Sequence, residues 1–89
     1  MAEPLEVIVQ ATPNPNAAKF TLNRVVAASG ATYRLPAAAE PEWATRLLGI
    51  PGVTQVFALN NFISITKAPE AAWDALAPQV EAELRRSFA

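Results

Sequence analysis

The chain has 89 residues, of which 52% are hydrophobic and 17% charged, and its formal net charge is −1. A chain of this length supports one folded unit, so residues 1–89 are expected to form a single domain. It contains neither cysteine nor histidine, which excludes disulfides, cysteine nucleophiles, histidine bases and the thiolate and imidazole ligands of most metal centres.

The first predicted element is a strand over residues 5–11. One face of it carries apolar side chains, which should point inward: Leu5, Val7, Val9 and Ala11. A rigid segment follows at residues 12–16, where two prolines fix the backbone and remove N–H donors. Alternation resumes over residues 19–22, with Phe20 and Leu22 inward, and predicts a second strand antiparallel to the first.

The middle of the chain gives a weaker pattern. Residues 23–36 are expected to form an irregular connection with a short edge strand over residues 32–35, which could pair with another chain. The segment 40–43, Glu-Pro-Glu-Trp, is typical of a helix start, because proline fits the first turn and acidic residues complement the helix dipole. Gly49 is expected to end that helix.

The last third predicts a hairpin and a long helix. Residues 53–59 and 62–66 form two strands that join through Asn60 and Asn61, while Ile63 and Ile65 share one face. A helix is expected to open at Pro69 and to bend or split at Pro78. Its apolar face carries five residues at helical spacing: Trp73, Leu76, Val80, Leu84 and Phe88. This apolar face is expected to pack against one face of the sheet.

These elements predict an α+β fold of two layers. Their order is ββαββα, and the mainly antiparallel sheet is covered on one face by two helices. The near balance of charges gives no field that would attract nucleic acid. No apolar run reaches the roughly 18 residues of a membrane span, and the acidic N-terminus lacks a secretory pattern. A cytoplasmic protein without nucleic-acid or membrane partners is therefore expected.

The segment 12–16, Thr-Pro-Asn-Pro-Asn, is more rigid than a simple strand connection requires. It is either a turn that sets strand register or a recognition tip, because a rigid loop lowers the entropy cost of binding. Under the second interpretation, a protein partner would be bound by hydroxyl, amide and ammonium groups. The candidate partner-binding residues are Thr12, Asn14, Asn16, Lys19 and Lys67.

Other constellations favour structural interpretations. Acidic pairs occur at 40 and 42, 70 and 74, and 81 and 83, where solvated helix faces and dipole complements explain them better than acid–base chemistry. Ser64 and Lys67 would diverge at a strand end, so a catalytic dyad is not expected. The G-x-x-G at 49–52 is explained by a helix stop and a turn, because an RNA-binding loop needs a basic surface. No resident cofactor or metal is predicted.

Three stretches resemble the N-terminal domain of the NifU-like (Nfu) iron–sulfur scaffold proteins. They are T-P-N-P-N-A-A-K-F at 12–20, L-L-G-I-P-G-V-T-Q-V-F at 47–57 and F-I-S-I-T-K at 62–67, followed by Trp73, Leu76 and Pro78. In full-length members a second domain with a C-x-x-C motif holds the cluster. Because this sequence has no cysteine, the resemblance implies a stand-alone N-terminal domain with an accessory role and without a cluster of its own.

The resemblance implies a non-enzymatic module that recognises a protein partner in cluster assembly or delivery, either an assembly factor or a recipient apoprotein. One alternative is a peptide or small-ligand binding module unrelated to iron–sulfur metabolism, because a fold alone does not fix a function. Two further alternatives are a small enzyme that uses carboxylates, Lys19 or Lys67, and weak iron binding by acidic side chains.

Overall fold

The computed structural model describes residues 4–34 and 42–88. Five strands and two helices follow one another in the order βββαββα. Their bounds are β1 Val7–Ala11, β2 Ala17–Leu22, β3 Ala27–Arg34, α1 Glu42–Leu48, β4 Val53–Asn60, β5 Phe62–Lys67 and α2 Trp73–Phe88. The fold is α+β, as the sequence predicts.

The strands form one sheet in the order β1-β2-β5-β4-β3, and each of these pairings is antiparallel. The two predicted hairpins, β1–β2 and β4–β5, are therefore confirmed. They meet at the centre of the sheet, where Phe20 of β2 pairs with Ile63 of β5. Asn60 adopts a positive φ of 53° in the second hairpin turn, a conformation that asparagine tolerates better than most residues.

Both helices pack on one face of the sheet. Buried side chains from α1 and α2 form a single apolar cluster with the inward residues of β2, β4 and β5. The α2 contribution is the predicted stripe, in which Leu76, Val80 and Leu84 are almost fully buried and Trp73 and Phe88 pack at the margins. This cluster explains why the sequence folds, since burying these side chains is the main favourable term available to so short a chain.

The other face of the sheet has no helix over it within residues 4–34 and 42–88. Alternate residues of the central strands, such as Lys19, Phe62 and Ser64, point to this side and are half-buried. Phe57 and Phe62 lie with ring centroids 6.0 Å apart there. The two-layer architecture thus matches the sequence prediction.

The connection between β2 and β4 is more regular than expected. An eight-residue strand, β3, replaces the predicted irregular segment with its short edge strand, and it begins at Ala27 rather than near residue 32. Its small residues, including Gly30, lack the apolar alternation that identifies a strand from sequence, and pairing with β4 fixes their conformation instead. Leu35, Glu40 and Pro41 lie outside the described residues.

Helix α2 also differs from the prediction. It begins at Trp73 and not at Pro69, because residues 68–71 form a turn in which the Ala71 N–H donates to the Ala68 carbonyl. The helix continues without a break through Pro78, whose missing N–H falls on an exposed side of the helix. Helix α1 ends before Gly49 as expected.

The predicted inward face of β1 lies on the helix side of the sheet but is only partly buried. Leu5 is buried and Val7 half-buried, but Val9 is 45% exposed, and Ala11 is also exposed. Period-two alternation shows which side chains share a face but not how far the covering helices reach. At this end of β1 the helices leave a gap.

Candidate functional site

The loop at residues 12–16 is built by its own side chains. The Thr12 hydroxyl accepts from the Asn14 N–H at 3.2 Å and lies within donating distance of the carbonyls of Asn14 and Ala17. The Asn14 side-chain oxygen accepts from the Asn16 N–H at 2.9 Å, and the Ala17 N–H donates to the Asn14 carbonyl at 3.0 Å. These bonds satisfy backbone groups that the prolines leave without strand partners.

Lys67 fastens the loop to the sheet. Its side chain is buried, with 8% exposed, and its ammonium group donates to the Asn16 side-chain oxygen at 3.0 Å and to the Ala68 carbonyl at 3.4 Å. The Lys67 backbone N–H also donates to the Asn16 carbonyl at 2.7 Å. A buried ammonium needs such acceptors, because an unpaired buried charge is costly.

Trp73 joins the loop to α2. Its indole N–H donates to the Pro15 carbonyl at 3.0 Å, and its ring lies 5.9 Å from the Lys67 ammonium nitrogen. The first residue of the helix is thereby held against the loop, and the loop is fixed on both sides. Such a loop is preorganised rather than adaptable.

A small apolar cleft lies between the end of β1, this loop and the start of α2. Its volume is about 220 Å³, and its lining is mostly apolar. The lining residues are Val9, Gln10, Ala11, Thr12, Asn14, Pro15, Ala17, Ala18, Trp73 and Ala77. We refer to it as the β1 cleft. It can accept one apolar side chain, with the loop supplying polar groups at its rim.

The five candidate residues do not form one group. Thr12, Asn14, Asn16 and Lys67 come together at the loop, where the structure uses their hydroxyl, side-chain oxygens and ammonium to hold the loop in shape. Lys19 lies apart on the open face of the sheet, with its ammonium nitrogen 4.6 Å from the centroid of the Phe62 ring. Asn14 is exposed and lines the β1 cleft, whereas Asn16 is half-buried and does not line it.

Sequence reasoning missed Val9, Ala11, Trp73 and Ala77 as site residues. The sequence pattern predicts inward positions for the first two and for Trp73, since alternation and helical spacing cannot distinguish a fully buried position from one at the margin. The one available signal was the indole N–H of Trp73, because a tryptophan near a polar loop usually finds an acceptor.

Three acidic residues on the two helices lie within ion-pair distance of arginines. Arg46 pairs with Glu42 and lies 4.0 Å from Glu83, and Arg85 pairs with Glu81 at 3.2 Å. Among the residues that the structure describes, no group of three or more acidic side chains is arranged to hold a metal ion. Neither helix in this part of the chain is long and apolar enough to cross a membrane.

Comparison with known families identifies the fold. A family model described as "Scaffold protein Nfu/NifU N terminal" matches residues 7–89. The chain belongs to this family. The match includes the loop, both hairpins and α2, so the elements that build the β1 cleft all fall within the family's domain.

Curated relatives include "Conserved virulence factor C" from two staphylococci. The Staphylococcus aureus (strain bovine RF122 / ET3-1) protein is 34% identical over 76 residues, which is 83% of this chain and 20% of the relative. The Staphylococcus haemolyticus protein is 31% identical over 77 residues, 85% of this chain and 21% of the relative. The Nfu/NifU N-terminal chain described here therefore spans about a fifth of the length of these relatives.

Solved structures share the fold. The crystal structure of protein SAV1430 from Staphylococcus aureus has a TM-score of 0.79 and 31% identity, with 89% of this chain and 98% of that chain covered. The solution structure of a NifU-like protein from Saccharomyces cerevisiae has a TM-score of 0.80, covering 92% of this chain and 76% of that chain. At 20% identity, the yeast comparison supports the fold alone.

Proposed function

We propose that this domain is a non-enzymatic, cytoplasmic module that recognises a partner protein in iron–sulfur cluster assembly or delivery, and that the β1 cleft is its contact surface. Membership of the Nfu/NifU N-terminal family supports the pathway. The absence of cysteine and histidine from the sequence favours a role in which another protein, or another domain, holds the cluster.

The observation that carries this proposal is the combination of a rigid loop with an apolar cleft. Trp73 and Lys67 fix the loop from two sides. Binding at the loop therefore costs little conformational entropy. The exposed fraction of Val9, 45%, gives a partner apolar surface to bury, and the free energy gained scales with that area. Buried aromatic residues with a polar rim are typical of sites that dominate protein interfaces.

The volume of the β1 cleft bears on the small-ligand alternative. At about 220 Å³ it lies below the roughly 300–1,000 Å³ of pockets that enclose drug-sized ligands. A partner protein that inserts one side chain and contacts the surrounding surface fits this volume better than a free cofactor or metabolite does.

The test is an anaerobic affinity capture from the lysate of the native host cell with wild type and two variants. Ala77→Leu fills the cleft, while Ala75→Leu adds the same side chain at an exposed position of the same helix. The proposal expects iron–sulfur assembly factors or cluster enzymes to be retained by wild type and Ala75→Leu and lost by Ala77→Leu.

Two results would argue against the proposal. Capture of partners without any link to iron–sulfur clusters would contradict the proposed pathway. Equal retention of cluster proteins by both leucine variants would show that the β1 cleft is not the contact surface. Circular dichroism of each variant provides the folding control.

A further inference from the structure

Strand β1 is an end strand of the sheet formed by residues 4–34 and 42–88, and the hydrogen-bond pattern shows which of its residues face the outer edge. The Leu22 N–H donates to the Asn61 carbonyl and the Lys67 N–H to the Asn16 carbonyl, both at 2.7 Å. Even-numbered residues of β2 therefore bond to β5. Because successive strand residues direct their backbone groups to opposite edges, the odd-numbered residues of β2 bond to β1.

The register then identifies the free backbone groups of β1. Thr21 pairs with Ile8, and Lys19 pairs with Gln10, so Ile8 and Gln10 direct their N–H and C=O groups toward β2. Val7, Val9 and Ala11 direct theirs away from the sheet. The end of the sheet thus presents alternate donors and acceptors to an incoming strand.

The two edges of the sheet differ in how well they are protected. β3 has a register shift between Ala27 and Ala31 and carries the charged Arg34, both features that discourage edge pairing. β1 pairs regularly with β2 over all five residues, Val-Ile-Val-Gln-Ala, and contains no charge. Its Ile8 is 58% exposed. In the part of the chain that the structure describes, β1 is therefore better suited than β3 to pair with another strand.

The β1 cleft lies directly beside this edge. Val9 lines the cleft with its side chain while its backbone groups face outward. A residue paired with Val9 on an added strand would project its side chain to the same face of the sheet. That side chain would enter the space bounded by Val9, Trp73 and Ala77.

We propose that β1 binds an extended segment of the partner protein as a sixth strand, with one apolar side chain of that segment in the β1 cleft. This inference rests on the proposed function and names its mode of recognition, in which main-chain bonds give affinity and a side-chain pocket gives specificity. Just before β1, the Leu5 carbonyl accepts from Arg85 at 2.8 Å, so this acceptor is already used and the added strand pairs within residues 7–11.

Charge adds a second requirement for the segment. Glu70 and Asp74, both exposed, flank Trp73 in sequence, and Asp74 lies one helical step from Ala77 at i, i+3 spacing. The nearby Lys67 ammonium is buried and bonded within the loop. The cleft lining itself carries no charge, and Asp74 is the acidic residue that helical spacing places beside Ala77, so a basic residue next to the apolar one in the bound segment would complement the site.

The small contact area argues against a second copy of this chain as the occupant. A stable interface uses roughly 20–30 residues a side, whereas β1 offers five. A peptide segment needs only this short edge and the cleft. The domain should accordingly remain monomeric in sedimentation experiments, and dimerisation through β1 would contradict the inference.

The probe is a phage-displayed library of random 12-residue peptides selected on the full chain. The selected peptides should alternate in polarity and share one aliphatic or aromatic residue with an adjacent lysine or arginine. Val9→Pro removes an outward N–H and places the ring in the path of the strand, so it should weaken binding at least about tenfold. Ala75→Leu, a substitution at an exposed position of α2 outside the cleft lining, is the control and should bind within about threefold of wild type.

A second measurement does not depend on the fold of a variant. Methylation of single backbone nitrogens along a selected peptide should abolish binding at every second position and leave the intervening positions unaffected, because only alternate N–H groups face β1. Selection of no peptide, or binding that tolerates methylation at every position and also Val9→Pro, would overturn the inference.

The failure of this inference is separable from that of the proposed function. If cluster proteins are captured by wild type and by Val9→Pro but not by Ala77→Leu, the β1 cleft is supported as the contact surface and strand addition is excluded. Loss in both Val9→Pro and Ala77→Leu, with Ala75→Leu unaffected, would support both.

Discussion

The Lys67 ammonium donates to the side-chain oxygen of Asn16 at 3.0 Å across a sequence separation of 51 residues. This bond connects the end of β5 to a loop between the first two strands. The bond holds the loop against the sheet. Other residues of the same loop, Thr12, Asn14 and Pro15, line the β1 cleft.

Replacing Lys67 with methionine should destabilise the domain by about 1 kcal/mol, because the Asn16 oxygen loses a charged donor while the apolar stem is retained. In a domain of this size that corresponds to a fall in Tm of roughly 4–8 °C. Thermal denaturation followed by circular dichroism measures it.

Lys19→Met is the matched control. Lys19 lies on the open face over the Phe62 ring, and a methionine thioether still packs there. The change should cost no more than about 0.5 kcal/mol. Equal destabilisation by the two variants would show that the Lys67–Asn16 bond contributes nothing specific.

Trp73→Phe should loosen the loop without unfolding the helix. The phenyl ring fills much of the same space, but the donor to the Pro15 carbonyl is lost, which costs roughly 0.5–1.5 kcal/mol. Hydrogen exchange of the Ala17 amide, which donates to the Asn14 carbonyl, should accelerate about two- to tenfold.

Trp43→Phe serves as the control for Trp73→Phe. Trp43 packs against Tyr33 and Phe88, with ring centroids 5.7 Å and 5.5 Å away, and has no role at the loop. Its variant should leave exchange of the Ala17 amide unchanged. Faster exchange of the Ala17 amide in both variants would mean that the exchange rate reports global stability and not the Trp73–Pro15 hydrogen bond.

Most of the fold could be predicted from the sequence, and the reasons are local. Phe20, Ile63 and Ile65 alternate with polar residues, and Leu76, Val80 and Leu84 recur at helical spacing, so each pattern identifies both an element and its buried face. β3 could not be found in this way, because its Ala, Ser and Gly residues become a strand only through pairing with β4.

The site was predicted less completely than the fold. The prolines and asparagines of the loop identify it from the sequence alone, since those residues restrict the backbone through their own chemistry. The cleft depends instead on how far α2 reaches across the sheet and on the contact of Trp73 with Pro15. Such long-range placement leaves no periodic signal in a single sequence.

Gly52 should be the glycine least tolerant of substitution among those in the strands and turns. It has a φ of +100°, and a Cβ there would lie 3.0 Å from the Ala71 Cβ. Gly52→Ala should cost about 1–3 kcal/mol in urea unfolding, because strain and close contact act together.

Gly30→Ala provides the comparison for Gly52→Ala. At Gly30 the φ is not in the left-handed region, and the nearest contact of a Cβ would be the Phe57 ring at 3.4 Å. The effect should stay within about 1 kcal/mol of wild type and can be stabilising, since alanine restricts the unfolded chain. A greater loss for Gly30→Ala than for Gly52→Ala would contradict this assignment.

The most direct test of the account is photo-crosslinking from the two edges of the sheet. Benzoylphenylalanine replaces Ala11, which is exposed at the end of β1 and lines the cleft, or Ala28, which is exposed on β3 at the opposite edge. Each variant is irradiated in anaerobic lysate of the native host cell, and the products are identified by mass spectrometry. The account predicts iron–sulfur assembly or recipient proteins joined to position 11 and not to position 28. Cluster proteins joined only to position 28, or none joined to position 11, would contradict it.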